Sequence, residues 1–283
     1  MKGNCVQIQK GSMLVFCILV GFFGFSWCGR LDAKTPQLRL TMLDATEFTG
    51  HIEPSTAHGL IRFRSASSEE SKPYTMASVR GIESLDYLNR IIRARVEYET
   101  PPNCIRLIDG DSLEADVRNI TLDGVEFESP QTDMNFLAAA EVAGVTLQRP
   151  TRSLALTRNE RRRLRNIPNS MAETPPTHLF YSVAGDVLRG RLVQLDADSL
   201  TVDIRSRRQE ISRERIATIE PLRESPAKDV SSGSHILVTY SRGCRLSFSS
   251  IEVSDDAIIG DHSTFGKCEI QIADLDSILL NQK

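Results

Sequence analysis

The chain has 283 residues, 40% hydrophobic and 25% charged, a globular balance that excludes a wholly disordered polypeptide. Its 34 Lys and Arg against 37 Asp and Glu leave a formal net charge of −3, so no global basic field draws it to nucleic acid or an anionic membrane. Aromatic residues are sparse, and the one tryptophan, Trp27, falls in the leader, which removes from the rest of the chain the exposed indole that many sugar-binding surfaces use.

Residues 1–28 read as an export signal. Lys2 and Lys10 form a positive flank, Met13 to Phe25 is an uninterrupted apolar and glycine run, and Ser26, Cys28 and Gly29 are small residues suited to cleavage. The run is shorter than the roughly 20 apolar residues a membrane span needs, so a cleaved signal peptide is expected, with an uncleaved anchor as the alternative. Trp27 directly before Cys28 speaks against a lipoprotein site. Export places the protein in the periplasm or cell envelope, where the cysteines need accounting. Cys5, Cys17 and Cys28 belong to the leader or its edge, leaving Cys104, Cys244 and Cys268, with no C-x-x-C pair. These read as small buried strand residues, with a Cys244–Cys268 disulfide within one unit as the alternative.

Self-similarity organises the remainder. Glu99-Thr100-Pro101-Pro102 recurs as Glu173-Thr174-Pro175-Pro176, each before a strand, a Gly-Asp turn and a second strand. Phe48, Leu113, Leu188 and Leu246 serve as equivalent anchors. Twelve or thirteen residues after each stands a β-type apolar residue: Ile61, Val125, Leu200 and Ile258. Phe63, Phe127 and Val202 continue the period of two, which Gly260 breaks in the last copy. Some 28 to 31 residues past each anchor begins a pair of apolar residues three apart: Val79/Ile82, Val142/Val145, Ile216/Ile219 and Leu275/Ile278. That spacing predicts a short turn of helix feeding a last strand, replaced in the second copy by Ala138-Ala139-Ala140-Glu141. The units fall at 36–90, 101–150, 175–225 and 233–283. Each is near the lower size limit for an independent core, and closing its sheet would remove exposed edges. The expected fold is all-β: tandem small barrels with a short connecting helix after the signal segment.

That helix lies in the linker 151–174. Thr157 and Glu160 form a capping box, and the helix runs until Pro168 stops it. Arg158, Arg161, Arg162, Arg163 and Arg165 make the one concentrated positive patch, suited to an acidic partner such as an anionic polymer or a neighbouring domain; a solvated helix pairing with nearby carboxylates is the plainer alternative.

The segment around Gly185 to Leu192, apolar–x–Gly-Asp–x–Leu–x–Gly-Arg-Leu with its closing Ile216/Ile219 strand, resembles SH3-like or Sm-like small barrels. The Sm resemblance implies RNA contacts from an Asp–apolar–Asn loop and an Arg-Gly step. Arg80-Gly81 matches the second element, but Leu195-Asp196-Ala197-Asp198-Ser199 lacks the asparagine, so the likeness is one of fold and nucleic acid is not an expected partner. Leu156 to Leu222 also resembles a segment of exported planctomycete-type proteins of uncharacterised role, in which a TRNERRRLRNIP-like helix precedes such a barrel. Some of those proteins carry a thioredoxin-like domain, but without C-x-x-C no redox activity carries over.

No catalytic, cofactor or metal residues are expected. His51, His58, His178, His235 and His262 are dispersed, and there is no G-x-S-x-G elbow, P-loop or dinucleotide fingerprint. Asp109/Asp111 and Asp196/Asp198 fall on turns and lack the ligand density of a calcium loop. The expected function is a non-catalytic interaction or scaffold protein of the cell envelope, binding an envelope protein or anionic polymer and touching the membrane only through the N-terminal segment. The alternatives are a carbohydrate-binding module stacking sugars on Phe180, Tyr181 or Tyr240, a thiol-redox accessory, or a hydrolase with an unfamiliar site.

Overall fold

The computed structural model describes residues 36–55, 57, 59–68, 70–94, 101–151, 157–167, 175–222, 236–241 and 243–280; the leader at 1–28 lies outside them. The first segment contains β1 (Leu38–Met42), β2 (Glu47–Glu53), β3 (Leu60–Ser65), β4 (Ser71–Thr75) and β5 (Val79–Ser84), then helix α1 (Leu85–Ala94). The second has β6 (Cys104–Leu107), β7 (Ser112–Glu114), β8 (Asp116–Ile120), β9 (Gly124–Glu128), β10 (Phe136–Ala138) and β11 (Val142–Thr146). Helix α2 (Arg158–Arg165) precedes the third, with β12 (His178–Ser182), β13 (Val187–Leu195), β14 (Ser199–Ile204), β15 (Arg207–Ser212) and β16 (Ile216–Pro221). The fourth has β17 (Ile236–Tyr240), β18 (Cys244–Phe248), β19 (Ile251–Val253), β20 (Ala257–His262), β21 (Gly266–Gln271) and β22 (Leu275–Leu280). The protein is thus mostly β, and α1, carried by Leu85, Leu88, Ile91 and Ile92 at helical spacing, is an addition to the sequence expectation.

The anchors occupy matching registers. In each segment the first strand lies between the second and the last. The anchor stands opposite a first-strand apolar residue, which in turn stands opposite the second closing residue. These rows are Phe48–Leu40–Ile82, Leu113–Ile105–Val145, Leu188–Phe180–Ile219 and Leu246–Val238–Ile278. The predicted third-strand residues Ile61, Val125, Leu200 and Ile258 are buried, as are Phe63, Phe127 and Val202. Alternation explains this: in β3, Ile61 and Phe63 face inward while Arg62 and Arg64 face water. Gly260 breaks the alternation because a Cβ there would meet the Phe248 ring at 2.6 Å; the ring fills the space a side chain would need.

Two sequence expectations need correction. The expected short turn of helix before the last strand is present as a 3₁₀ turn at Met76–Ser78, Arg213–Arg215 and Ile272–Asp274, and the second segment also has one, at Ala139–Glu141, where none was expected. The three-residue spacing arises elsewhere, because both members of each apolar pair lie within the strand. A bulge inserts Arg80, Ala143, Ala217 or Asp276 between them, where the register skips one residue. The extra residue restores the inward direction that strict alternation would reverse.

The second correction concerns closure. Among the described residues the strand before the last (β4, β10, β15 or β21) pairs with the strand preceding it and not with its segment's last strand, so the sheets are not closed barrels. The last strand uses its other edge on the last strand of a different segment. β5 pairs with β22, with Ile82 opposite Ile278, and β11 pairs with β16, with Val145 opposite Ile219. Pairing across segments thus covers edges that closure would otherwise have removed. Further bridges join β7 to β18 and β8 to β13, and one apolar cluster runs through all the segments.

Candidate functional sites

Three places gather chemistry-bearing side chains: the seam between the second and fourth segments, the outer face of the third, and a cleft beside β8. At the seam, the turn between β6 and β7 lies against β18 and β20. Gly110 has φ 99, which lets the chain reverse tightly and present Asp111 to the neighbouring segment. Asp111 is 6% exposed, and its carboxylate accepts three hydrogen bonds: from Ser247 N at 2.7 Å, Ser247 Oγ at 2.9 Å and His262 Nε2 at 3.0 Å. His262 Nδ1 accepts from the backbone N–H groups of Thr264 and Phe265, at 3.0 and 3.2 Å. The network therefore assigns the ring proton to Nε2, donated to Asp111. Arg245 Nε donates to Gly110 O at 2.8 Å, and Phe265 packs on the imidazole with centroids 5.0 Å apart.

The residue types are those of a hydrolytic triad, but the wiring differs. In a triad the imidazole accepts the serine proton while the aspartate holds its other nitrogen. Here Ser247 bonds the aspartate and the imidazole has no nitrogen free to act as base. Asp109, Asp111 and His262 also place one ligand atom each within 4.8 Å of one another. Asp109 Oδ1, however, accepts Asp111 N at 3.0 Å, and a cation would have to break the His262–Asp111 bond. The arrangement suits a latch between segments.

The arginines divide. The capping box forms as expected: Thr157 Oγ1 accepts Glu160 N at 3.3 Å and Glu160 Oε2 accepts Thr157 N at 2.7 Å. That carboxylate is held below its usual range by the Thr157 hydroxyl and N–H. The helix is docked at its C-terminal end. Arg189 on β13 donates to Leu164 O and Asn166 O, at 3.2 and 2.8 Å, a cation meeting carbonyls left free at a helix end. Arg165 reaches Glu220 at 3.9 Å, while Arg162 and Arg163 are exposed. The side chains of Arg158 and Arg161 lie outside the described residues.

Beyond the helix the positive surface continues over the sheet. Gly190 and Leu192 are buried, which puts Arg189 and Arg191 on the outer face of β13. Arg191 stands opposite Asp203, which stands opposite Arg208 and is bonded by its Nε at 3.2 Å. At the hairpin tip Arg205 and Ser206 both have positive φ, 49 and 64. Asparagine and glycine are the low-cost choices for such a turn, yet here it carries an exposed arginine beside exposed Arg207 and Arg208.

The cleft, about 470 Å³, is lined by Asn103, Glu114, Asp116, Glu128 and Ser129. Two of its three acids are answered by Arg118, which reaches Asp116 at 3.1 Å and Glu128 at 2.7 Å and holds the Glu128 carboxyl below its usual range.

The three cysteines are buried strand residues, and the alternative Cys244–Cys268 bridge does not form. Cys268 pairs across β20–β21 in the three-stranded sheet, while Cys244 stands on β18 in the 19-stranded sheet. All three thiols are free and buried, and burial pushes Cys268 up to about 12. Cys244 instead directs its thiol at Cys104, 3.8 Å away. Phe180, Tyr181 and Tyr240, the candidate sugar-stacking rings, are all buried. Sequence reasoning missed the Asp111–His262 contact because 151 positions separate its partners. It missed the strand arginines because only sheet register assembles them. The chain matches no protein-family model, and a search of curated proteins finds no significant relative.

Proposed function

We propose that this protein is a non-catalytic, exported interaction protein of the cell envelope. In this reading it is four copies of one SH3-like or Sm-like small unit, paired through their last strands, and it holds an anionic polymer on the arginine face of the third. The matching registers, turns and bulges of the four segments support common descent from one unit. The carrying observation for function is the outer face of β13–β15, where Arg191 and Arg208 flank Asp203, Glu210 is a second acid opposite Thr201, and the basic helix α2 lies docked beside Arg189. On a chain of net charge −3 such a face is a local field, effective within a Debye length of about 8–10 Å. Arginine suits it, since its fork meets sulfate, phosphate or carboxylate oxygens bidentately. The non-catalytic part rests on the seam, where His262 and Asp111 are committed to each other and to backbone groups.

Chromatography of the full chain on immobilised dextran sulfate tests the proposal. Retention at low ionic strength, released by a salt gradient, is expected; elution in the void volume at low salt would overturn it.

A further inference from the structure

The seam between the second and fourth segments contains a second contact of different chemistry. Cys104 begins β6 and Cys244 begins β18, 140 residues apart in the chain, with their sulfurs 3.8 Å apart. Both side chains are 0% exposed. The two cysteines flank a β-bridge between these segments, Arg245 opposite Ser112: Cys244 directly precedes Arg245, and Cys104 pairs with Glu114, two positions beyond Ser112. Tyr240, paired with Cys244, accepts Glu114 N at 3.3 Å on its hydroxyl and so ties the same strands together. The register of this seam brings the thiols together, and closing them to bonding distance needs an approach of about 2 Å.

We propose that Cys104 and Cys244 are a modification site, the two halves of a disulfide that staples the second segment to the fourth when the protein meets a small-molecule disulfide such as oxidised glutathione. The Cys104 thiolate attacks one glutathione sulfur. The glutathione S–S bond breaks, a mixed disulfide forms, and the first glutathione thiolate departs and takes up a proton. The Cys244 sulfur then attacks the Cys104 sulfur, gives up its proton and expels the second glutathione as a thiol. The two cysteine sulfurs together lose two electrons and the oxidant gains them.

Direction of attack follows from the pair itself. The Cys244 thiol points at Cys104 and draws that group's pKa down, against the burial that pushes it up. Cys244 is pushed up by the same hydrogen bond and by burial. Cys104 is therefore the group that ionises first and the better initial nucleophile. Because both are buried, the oxidant reaches them only while the seam is open, during folding or local separation. The bond would close a long loop and add a covalent tie to the seam's hydrogen bonds and its Phe127–Phe265 contact.

The test is to refold the full chain in oxidised glutathione, block residual thiols, digest with trypsin and map the peptides by mass. The expected product joins peptide 96–106 to peptide 243–245, in the wild type and in Cys268→Ser, and is lost in Cys104→Ser. The oxidised protein should unfold roughly 5 °C or more above the same protein treated with a phosphine reductant. Blocked Cys104 and Cys244 in protein that has regained its native spectrum would overturn the proposal, as would either of them linked to Cys268. Wild-type protein and Cys268→Ser carry this result even if Cys104→Ser fails to fold.

Discussion

The seam between the second and fourth segments and the outer face of the third use charge in opposite ways. At the seam a carboxylate and an imidazole are buried beside a half-buried serine, and each finds its partner inside the fold. In helix α2 and the third segment Arg162, Arg163, Arg207 and Arg208 stand in water, with Arg208 paired to Asp203. A buried polar group is costly unless bonded, so an internal network is judged by how completely it is satisfied. An exposed guanidinium costs the fold little and stays available. The lesson is that the residue types most suggestive of catalysis are tied to one another across the seam, while the side chains left in water on the third segment, those to which the proposed function assigns the anionic partner, are arginines.

Asp111→Ala should give the largest effect. It leaves Ser247 and His262 without their acceptor in a buried site, and the expected loss is about 3–5 kcal/mol, read as a lower urea midpoint. Protein that remains folded should keep its elution position on dextran sulfate; a lost retention in folded protein would merge two regions that we hold apart. Thr157→Ala removes the cap of α2 and should cost that helix about 1 kcal/mol. Faster amide exchange confined to α2, with earlier elution from dextran sulfate, is the expected pair of readouts. Arg162→Glu with Arg163→Glu should move stability by less than about 0.5 kcal/mol while shifting elution strongly to lower salt.

The smallest effect is one of pH. Backbone N–H groups of Ser199 and Asp198 hold the Asp196 carboxylate below its usual range. A depressed folded pKa gives stability that is present above the unfolded value, near pH ~4, and is lost as pH falls through the lower folded value. Amide shifts of Ser199 followed downward from neutral pH should therefore stay flat past pH ~4 and move below it; movement centred above that value would contradict the assignment.

Much of the fold was legible because it is local. A period of two places Ile61 and Phe63 on one face whatever the strand later pairs with, and the Gly-Asp turns announced the positive φ found at Gly110 and Gly185. The closing pairs were misread because an α-turn and a bulged strand both turn residues three apart to one side. Only the register, with Arg80 or Ala217 left unopposed, tells them apart. Helix α1 was overlooked although Leu85, Leu88, Ile91 and Ile92 spell its spacing. Pairing between segments had no local signal: Ile82 meets Ile278 through sheet geometry alone. The candidate site divides the same way, since the arginine run of α2 is contiguous in sequence while Arg191 and Arg208 join it only through the pairing of β13, β14 and β15.

The most direct measurement is the salt dependence of the Kd for fluorescent dextran sulfate, comparing Arg162→Glu/Arg163→Glu with Lys72→Glu/Lys267→Glu. The two variants change net charge equally, and the second pair is exposed on the first and fourth segments. The account predicts that the wild type and the lysine variant share one steep fall of affinity with salt, and that the arginine variant binds weakly with a flatter dependence. Equal weakening of both variants would mean that net charge, and not the arginine face, governs binding, and would contradict it.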